Sequence, residues 1–232
     1  ANRLNGFKTT EPLEVIFADL IGPMKPSLGG ACYILSILDN YSRYGFCYLL
    51  KNKTETFQNF FNWLRFAERK MKRKVITLVT DNGTEFVNTR FQTVLKQAGI
   101  EHKRSAPYRP QHNAFVERRG QTLQAMARTM LSDSGLLDTL WGEAIMCSNH
   151  VLNNVVNTST GELPFTRWHG RKPNLSYLHT FGAPAWVHIP SQVRRKGQHR
   201  ARKLVFVGYE ANHRSFRFWD QGIADIYCSA SA

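Results

Sequence analysis

Two rhythms of apolar and polar positions run through the first 160 residues. Residues 13–18 form a near-continuous apolar run ending at Asp19, the pattern of a strand buried on both faces. Ile21-Gly22-Pro23 breaks it. Two further runs, 32–38 and 44–50, are joined by a turn over 39–43, short enough to make them an antiparallel pair. From Thr54, a candidate cap, the period changes to 3.6: Phe57, Phe60, Phe61 and Leu64 share a face, which predicts a helix to about Met71. A fourth strand over 75–80 is stopped by Asp81-Asn82-Gly83. Residues 89–98 read as a helix with Gly99 as its stop, and 100–104 as a short fifth strand. The segment 105–112, with Pro107 and Pro110, reads as a loop. A long helix follows from Asn113, its candidate N-cap, with an apolar stripe of Val116, Leu123, Met126, Ala127 and Met130. Another runs from Leu137 to about Asn157.

The order βββαβαβαα predicts an α/β fold, a mixed five-stranded sheet flanked by helices. After Thr160 the texture changes. Pro and Gly recur, and strand-like runs appear at 185–189, 204–209 and 214–220. The expected organisation is a core over 1–165 and a small β-rich module over 166–232. Phe216, Phe218 and Trp219 read as the core of that module, with base stacking as the alternative use.

Composition narrows the partners. The 232 residues hold 31 Lys and Arg against 17 Asp and Glu, a formal charge of +14, which favours a polyanion, nucleic acid above all. No apolar run approaches a membrane span, and no membrane partner is expected. The cations cluster at 69–74, at Lys103, Arg104, Arg109, Arg118 and Arg119, and around Arg194, Arg195 and Lys196, the last group being the densest and the one read as a phosphate contact. Cys32, Cys47, Cys147 and Cys228 are scattered, without CxxC pairs or zinc spacing to histidine, so neither a disulfide framework nor a zinc site is expected.

The candidate chemistry lies in three acids. Asp19 and Asp81 each follow an apolar strand, and ligand sites of open α/β sheets gather at carboxyl ends of strands. Glu117 stands on the first turns of the long helix, with 35 residues between it and Asp81. If the first and fourth strands are neighbours, the three carboxylates can meet and hold two divalent ions, which is the chemistry of phosphodiester cutting and joining. Taken singly, each acid has an ordinary alternative as a turn former or a helix-dipole partner. Asp39 reads as a turn former, and Glu85 as an acid near the site in a supporting or DNA-contact role.

Thr80-Asp81-Asn82-Gly83-Thr84-Glu85-Phe86 resembles the TDNGxEF signature of retroviral and retrotransposon integrases. The stretch from Tyr108 through Pro110-Gln111-His112-Asn113-Ala114 to Glu117-Arg118 resembles their PQxNGxxER segment, with Ala114 where Gly is usual. Asp19-Leu20-Ile21-Gly22-Pro23, Phe181-Gly182-Ala183-Pro184 and Arg202-Lys203-Leu204-Val205-Phe206-Val207-Gly208-Tyr209 look like segments of the copia branch of LTR retrotransposons. The resemblance implies a ribonuclease-H-like fold. It implies catalytic, metal-holding Asp19, Asp81 and Glu117 with two Mg2+ or Mn2+ ions, and joining of element DNA 3′ ends to target DNA with possible end trimming. It further implies DNA contacts at Lys103, Gln111, Asn113 and Arg118, at least a dimer, synthesis within a polyprotein, and action in the nucleus. The family's amino-terminal zinc module has no counterpart in these residues. An RNA–DNA hybrid nuclease and a non-catalytic nucleic-acid-binding protein remain the alternatives.

Overall fold

The computed structural model describes residues 7–104, 114–189, 200–210 and 215–229. Its first half is one mixed sheet in the order β3-β2-β1-β4-β5. β1 (Val15–Ile21), β2 (Tyr33–Asp39) and β3 (Gly45–Leu50) form an antiparallel meander. β4 (Thr77–Thr80) and β5 (Glu101–Arg104) join parallel to β1 through the helical crossovers α1 (Glu55–Met71) and α2–α3 (Thr84–Val87, Thr89–Ala98).

Side-chain parity along β1 divides the core. Ile16 and Ala18 point to the face covered by α1 and α3, where Phe60, Phe61, Leu64, Phe91 and Leu95 are buried. Phe91 is the hub, its ring centroid 5.2 Å from Phe60, 5.1 Å from Phe61 and 5.6 Å from Phe86. Such contacts add about 0.5–1.5 kcal/mol per pair beyond burial. Val15 and Phe17 point the other way, to a cluster with Leu38, Val79 and Val116. Val116 belongs to α4 (Ala114–Ser134), which with α5 (Trp141–Asn153) covers this second face. A short helix, α6 (Pro164–His169), returns Phe165 and Trp168 to the first face.

Beyond α6 lies a four-stranded antiparallel sheet, β6 (Pro184–His188), β7 (Ala201–Tyr209), β8 (Phe216–Asp220) and β9 (Asp225–Ser229). Phe206, Phe218 and Trp219 are buried in one cluster with Leu131, Leu140, Ala144 and Ile145 of the α4–α5 region. This sheet therefore packs on the outer side of α5, and its aromatic side chains form that joint.

Several expectations are corrected. Asp19 does not end β1: the ladder with β2 continues through Leu20 and Ile21, because β2 offers Leu35 and Ile34 as partners. Thr54 makes no side-chain cap; instead the Glu55 carboxylate accepts the Lys51 N–H at 3.1 Å. The helix expected over 137–157 is a 3-10 turn (Asp138–Leu140) and then α5, ending at Asn153. The one-turn α2 and the strand β9 were not anticipated; each is too short to carry a readable period. Asn113, the candidate cap of α4, lies outside the described residues.

Candidate active site

Register brings the first two acids together. In the parallel β1–β4 ladder Val15, Ile16 and Phe17 stand opposite Thr77, Leu78 and Val79. Carried two residues further, that register sets Asp19 beside Asp81, on strands about 4.8 Å apart. Both residues share the parity of Phe17 and Val79, so both face α4.

The third acid arrives from that helix. Gly120 of α4 lies against β1 so closely that a Cβ on it would meet the Ile21 Cδ1 at 2.7 Å. Ile21 is on the same face of β1 as Asp19, and Glu117 is one turn before Gly120 on the same side of α4. The close approach at Gly120 therefore carries Glu117 over Asp19.

The electrostatics agree. Burial pushes the Asp19 carboxyl up to about 6, and the negative charges of Asp81, Glu117 and Glu85 add to the rise. Three further carboxylates thus lie close enough for their charge to reach Asp19. Glu85, read from the sequence as a supporting acid, is one of them: a Cβ on Gly83 would meet both the Glu85 Oε1 and, at 3.0 Å, the Asp81 Oδ1. Its spacing of four residues from Asp81 across a one-turn helix is the signal that places it there. Asp39 stands apart as the buried turn former expected. Its Oδ1 accepts the Leu13 N–H at 2.8 Å, and its Oδ2 accepts the N–H and hydroxyl of Ser42 at 2.7 and 2.6 Å.

The Asp81 turn is held from behind. Its Oδ1 accepts the Gly83 N–H at 3.0 Å. The Gln92 amide donates to the Phe86 carbonyl at 3.0 Å and to the Nδ1 of His102 at 2.7 Å. The imidazole proton is thereby assigned to Nε2, which donates to the Thr80 hydroxyl at 2.9 Å, and Thr80 donates to the Asp81 carbonyl at 2.7 Å. Burial and the nearby Arg104 hold the His102 pKa below its ordinary value, which keeps this neutral tautomer.

Among the DNA-contact candidates, Lys103 and Arg104 end β5: Lys103 stands opposite Val79, on the face the two aspartates share, and Arg104 opposite Thr80, on the other face near His102. Lys103 pairs with Glu101 at 3.2 Å, while the exposed Arg118 lies over the Phe115 ring at 5.1 Å. Arg109, Gln111, Asn113, Arg194, Arg195 and Lys196 lie outside the described residues.

The donor set suits a hard divalent cation, since every group is a carboxylate oxygen, and burial and the neighbouring acids raise the proton affinity of Asp19. Among the described residues, no three His, Cys, Asp or Glu side chains form one ligating cluster.

Comparison with known proteins agrees with this geometry. The Integrase core domain family matches residues 9–110, ending before Glu117, and the Retroviral polymerase SH3-like domain matches 183–232. Together they cover more than half of the chain. The Pol polyprotein of the tobacco (Nicotiana tabacum) transposon TNT 1-94 is 32% identical over 210 residues, 90% of this chain. That of the Arabidopsis thaliana transposon RE2 is 28% identical over 209, and a Gag-Pol polyprotein of the Saccharomyces cerevisiae transposon Ty1 is 27% identical over 204. The chain spans only 16%, 14% and 13% of those polyproteins.

Among solved structures, the HTLV-2 integrase catalytic core domain in complex with magnesium (trimeric form) aligns at 20% identity. The match covers 70% of this chain and all of that one, with a TM-score of 0.53. The simian T-cell lymphotropic virus intasome in complex with PP2A regulatory subunit B56 gamma aligns at 17%, covering 96% of this chain and 77% of that one, with a TM-score of 0.57. The fold is that of the ribonuclease-H-like integrase cores. The chain belongs to the integrase family, as the copia-type retrotransposon form in which an integrase core domain is followed by a retroviral SH3-like domain.

Proposed function

We infer that this chain is a polynucleotidyl transferase that joins the 3′ ends of element DNA to target DNA, with 3′-end processing where an end needs trimming. The observation that supports this reading is the β1–β4 register, which carried two residues further would bring Asp19 next to Asp81, with the charge of Glu117 felt at Asp19. Asp19, Asp81 and Glu117 would hold two Mg2+ or Mn2+ ions through oxygen, the donor these cations prefer. Two such ions, when bound, neutralise phosphate charge and activate the attacking oxygen for in-line displacement.

The protein's own part is placement and charge. Asp19, fixed within a buried ladder, is the rigid member. Asp81 sits on a turn stiffened by Thr80 and His102. Lys103 and Arg104 at the end of β5 would neutralise phosphates of DNA led to the acids, and Glu85 adds negative charge that favours cation uptake. Arg109, Arg194, Arg195 and Lys196 would add to the same attraction for DNA. Two DNA ends need two such sites, so the working form is at least a dimer. The core would be residues 1–165 and the β-rich module 166–232, and the substrate places the reaction in the nucleus after synthesis in the cytoplasm as part of a polyprotein.

Strand joining with short blunt duplexes tests this reading. Product should form only with Mg2+ or Mn2+ and disappear in Asp81→Asn, while duplex binding persists and weakens with salt. Joining by Asp81→Asn at the parental rate refutes the assignment. Cleavage of RNA–DNA hybrids without joining points to a nuclease, and salt-sensitive binding without either activity to a pure binding protein.

A further inference from the structure

Arg119 is an unusual residue for the interior of this fold. It lies two positions beyond Glu117 on α4, turned about 200° round the helix from it, toward α5 and β3. Its Nη2 donates to the Asn149 Oδ1 at 2.7 Å and to the Asn153 Oδ1 at 2.9 Å. Asn153 in turn closes a two-bond ring with the backbone of Gly45, accepting its N–H at 2.9 Å and donating to its carbonyl at 2.8 Å. The guanidinium lies directly on Gly45: a Cβ there would overlap Nε, Cζ and Nη2. Only glycine leaves that seat open. Nε is buried without a partner, and among the described residues the side chain has amide acceptors and no carboxylate.

Stability alone does not account for this arrangement. A buried guanidinium costs several kcal/mol of desolvation, and an apolar side chain of similar length would fill the space at less cost. The planar fork supplies direction. It ties α4 to two positions of α5 and one of β3, while Gly120, the next residue, meets Ile21 of β1 on the other side. A helix gripped on both sides at one turn cannot roll about its axis. A side-chain tip about 6 Å from the axis moves roughly 1 Å for each 10° of roll, and a misplacement of that size at a catalytic group can cost about 100-fold.

We propose that Arg119, seated on Gly45 and held by Asn149 and Asn153, is the positioning residue that fixes the roll of α4 and so keeps Glu117 turned toward Asp19 and Asp81, where a bound cation can gather the three. The proposal rests on the metal-dependent reading above and extends it to a residue that touches neither metal nor DNA. It gives Gly45 and Gly120 complementary roles, one as the seat of the fork and the other as the stop against β1.

The test is Mn2+ binding by DNA-free protein, measured by titration calorimetry alongside urea unfolding. Gly45→Ala evicts Arg119 without removing its charge, and Arg119→Met removes the fork but keeps the length. Both should lower Mn2+ affinity about 10-fold, the scale seen when a residue orienting a ligand is lost. Asn149→Asp keeps an acceptor and should hold affinity within about twofold, whereas Asn149→Leu, a milder lesion, should lose it. Phe165→Leu, in the core on the other face of the sheet, controls for lost stability and should bind Mn2+ as the parent does. Parental affinity in Gly45→Ala, Arg119→Met and Asn149→Leu overturns the proposal, as does an equal loss in Phe165→Leu. Asp81→Asn separates the two readings. If it loses Mn2+ while the clasp variants keep it, only the clasp falls; if it too binds as the parent does, the metal reading falls and takes the clasp with it.

Discussion

Two groups of ionised side chains in this molecule are built on opposite electrostatic terms. Under α4, Asp19 is crowded by the like charges of Asp81, Glu117 and Glu85, and burial together with those charges raises its pKa to about 6. On the far side of α5, Arg217 of β8 is enclosed by opposite charges. Its Nε and Nη2 donate to the two oxygens of Glu143 at 2.6 and 2.8 Å, and its Nη1 donates to Glu210 at 2.5 Å. Hydrogen bonds to Glu143 raise its pKa further above the ordinary range despite burial. The first group is poised to take up charge from outside; the second already has its countercharge and joins the second sheet to α5. Removing one charge should therefore have opposite effects on stability in the two places.

The largest effect expected concerns chemistry at the first group. Asp81→Asn removes a ligand but leaves the Gly83 turn an acceptor oxygen, so the fold should persist while metal-dependent joining falls by at least about 1000-fold, the scale of losing one member of a catalytic unit. The equivalent change at the second group, Glu143→Gln, should leave the half-saturating Mg2+ for joining unchanged. A drop in joining confined to Glu143→Gln would reverse the contrast.

Next in size is the stability of the second group. Arg217→Met strands Glu143 and Glu210 against each other in a partly buried joint, and breaking such a pair from one side should cost about 2–3 kcal/mol in urea unfolding. The double change Arg217→Met with Glu143→Leu should recover part of that, since apolar replacements suit the neighbouring cluster of Ile145, Phe218 and Trp219. No recovery would mean the joint is held by the geometry of the ion pair and not by the burial around it.

Much of the first group was legible in the chain, and much of the second was not. Apolar runs and the Asp-Asn-Gly stop place Asp81, and the parallel neighbourhood of β1 and β4 follows from a strand–helix–strand crossover. The position of Asp19 inside β1 was hidden because Leu20 and Ile21 can serve equally as the end of a strand or the start of a turn. Arg119 looked like one more cation in a basic run, because its burial depends on Asn149, Asn153 and Gly45, which lie 30, 34 and 74 residues away. Arg217–Glu143 spans 74 residues with no local periodicity to announce it. Strand β9 is short, with Asp225 and Tyr227 exposed, so it lacks the buried alternation that would have marked it.

A smaller effect should come from the hydrogen-bond chain behind Asp81. Thr80→Val keeps the volume of a fully buried side chain but leaves the His102 Nε2 and the Asp81 carbonyl without their shared hydroxyl. Leaving such groups unsatisfied costs about 1–3 kcal/mol, and the half-saturating Mg2+ for joining should rise with it. Thr80→Ser keeps the hydroxyl and should restore the metal response even if some packing is lost. Equal metal response in the valine and serine variants would show that the chain supports the fold only.

The smallest effect expected is also the one that most directly opposes the two groups. Asp19 has its carboxyl raised from 3.8 to about 6 by burial and by Asp81, Glu117 and Glu85. Between those values the folded state binds a proton that the unfolded chain has released, so this group lowers stability as pH rises through that window. The penalty is complete above about pH 6 and vanishes below about pH 4. Asp19→Asn removes it, and the metal-free variant should be more stable than the parent at pH 7.5 by on the order of 1 kcal/mol once solvent screening is allowed for, with the gap narrowing to less than half of that at pH 4.5. Added Mn2+ should reverse the order, because a ligand that binds only the folded parent stabilises it by mass action. Urea midpoints at the two pH values, in chelator and in Mn2+, give the four numbers needed. A variant less stable than the parent at pH 7.5 without metal would show that Asp19 is held by attractive contacts, and the contrast with Arg217 would then dissolve.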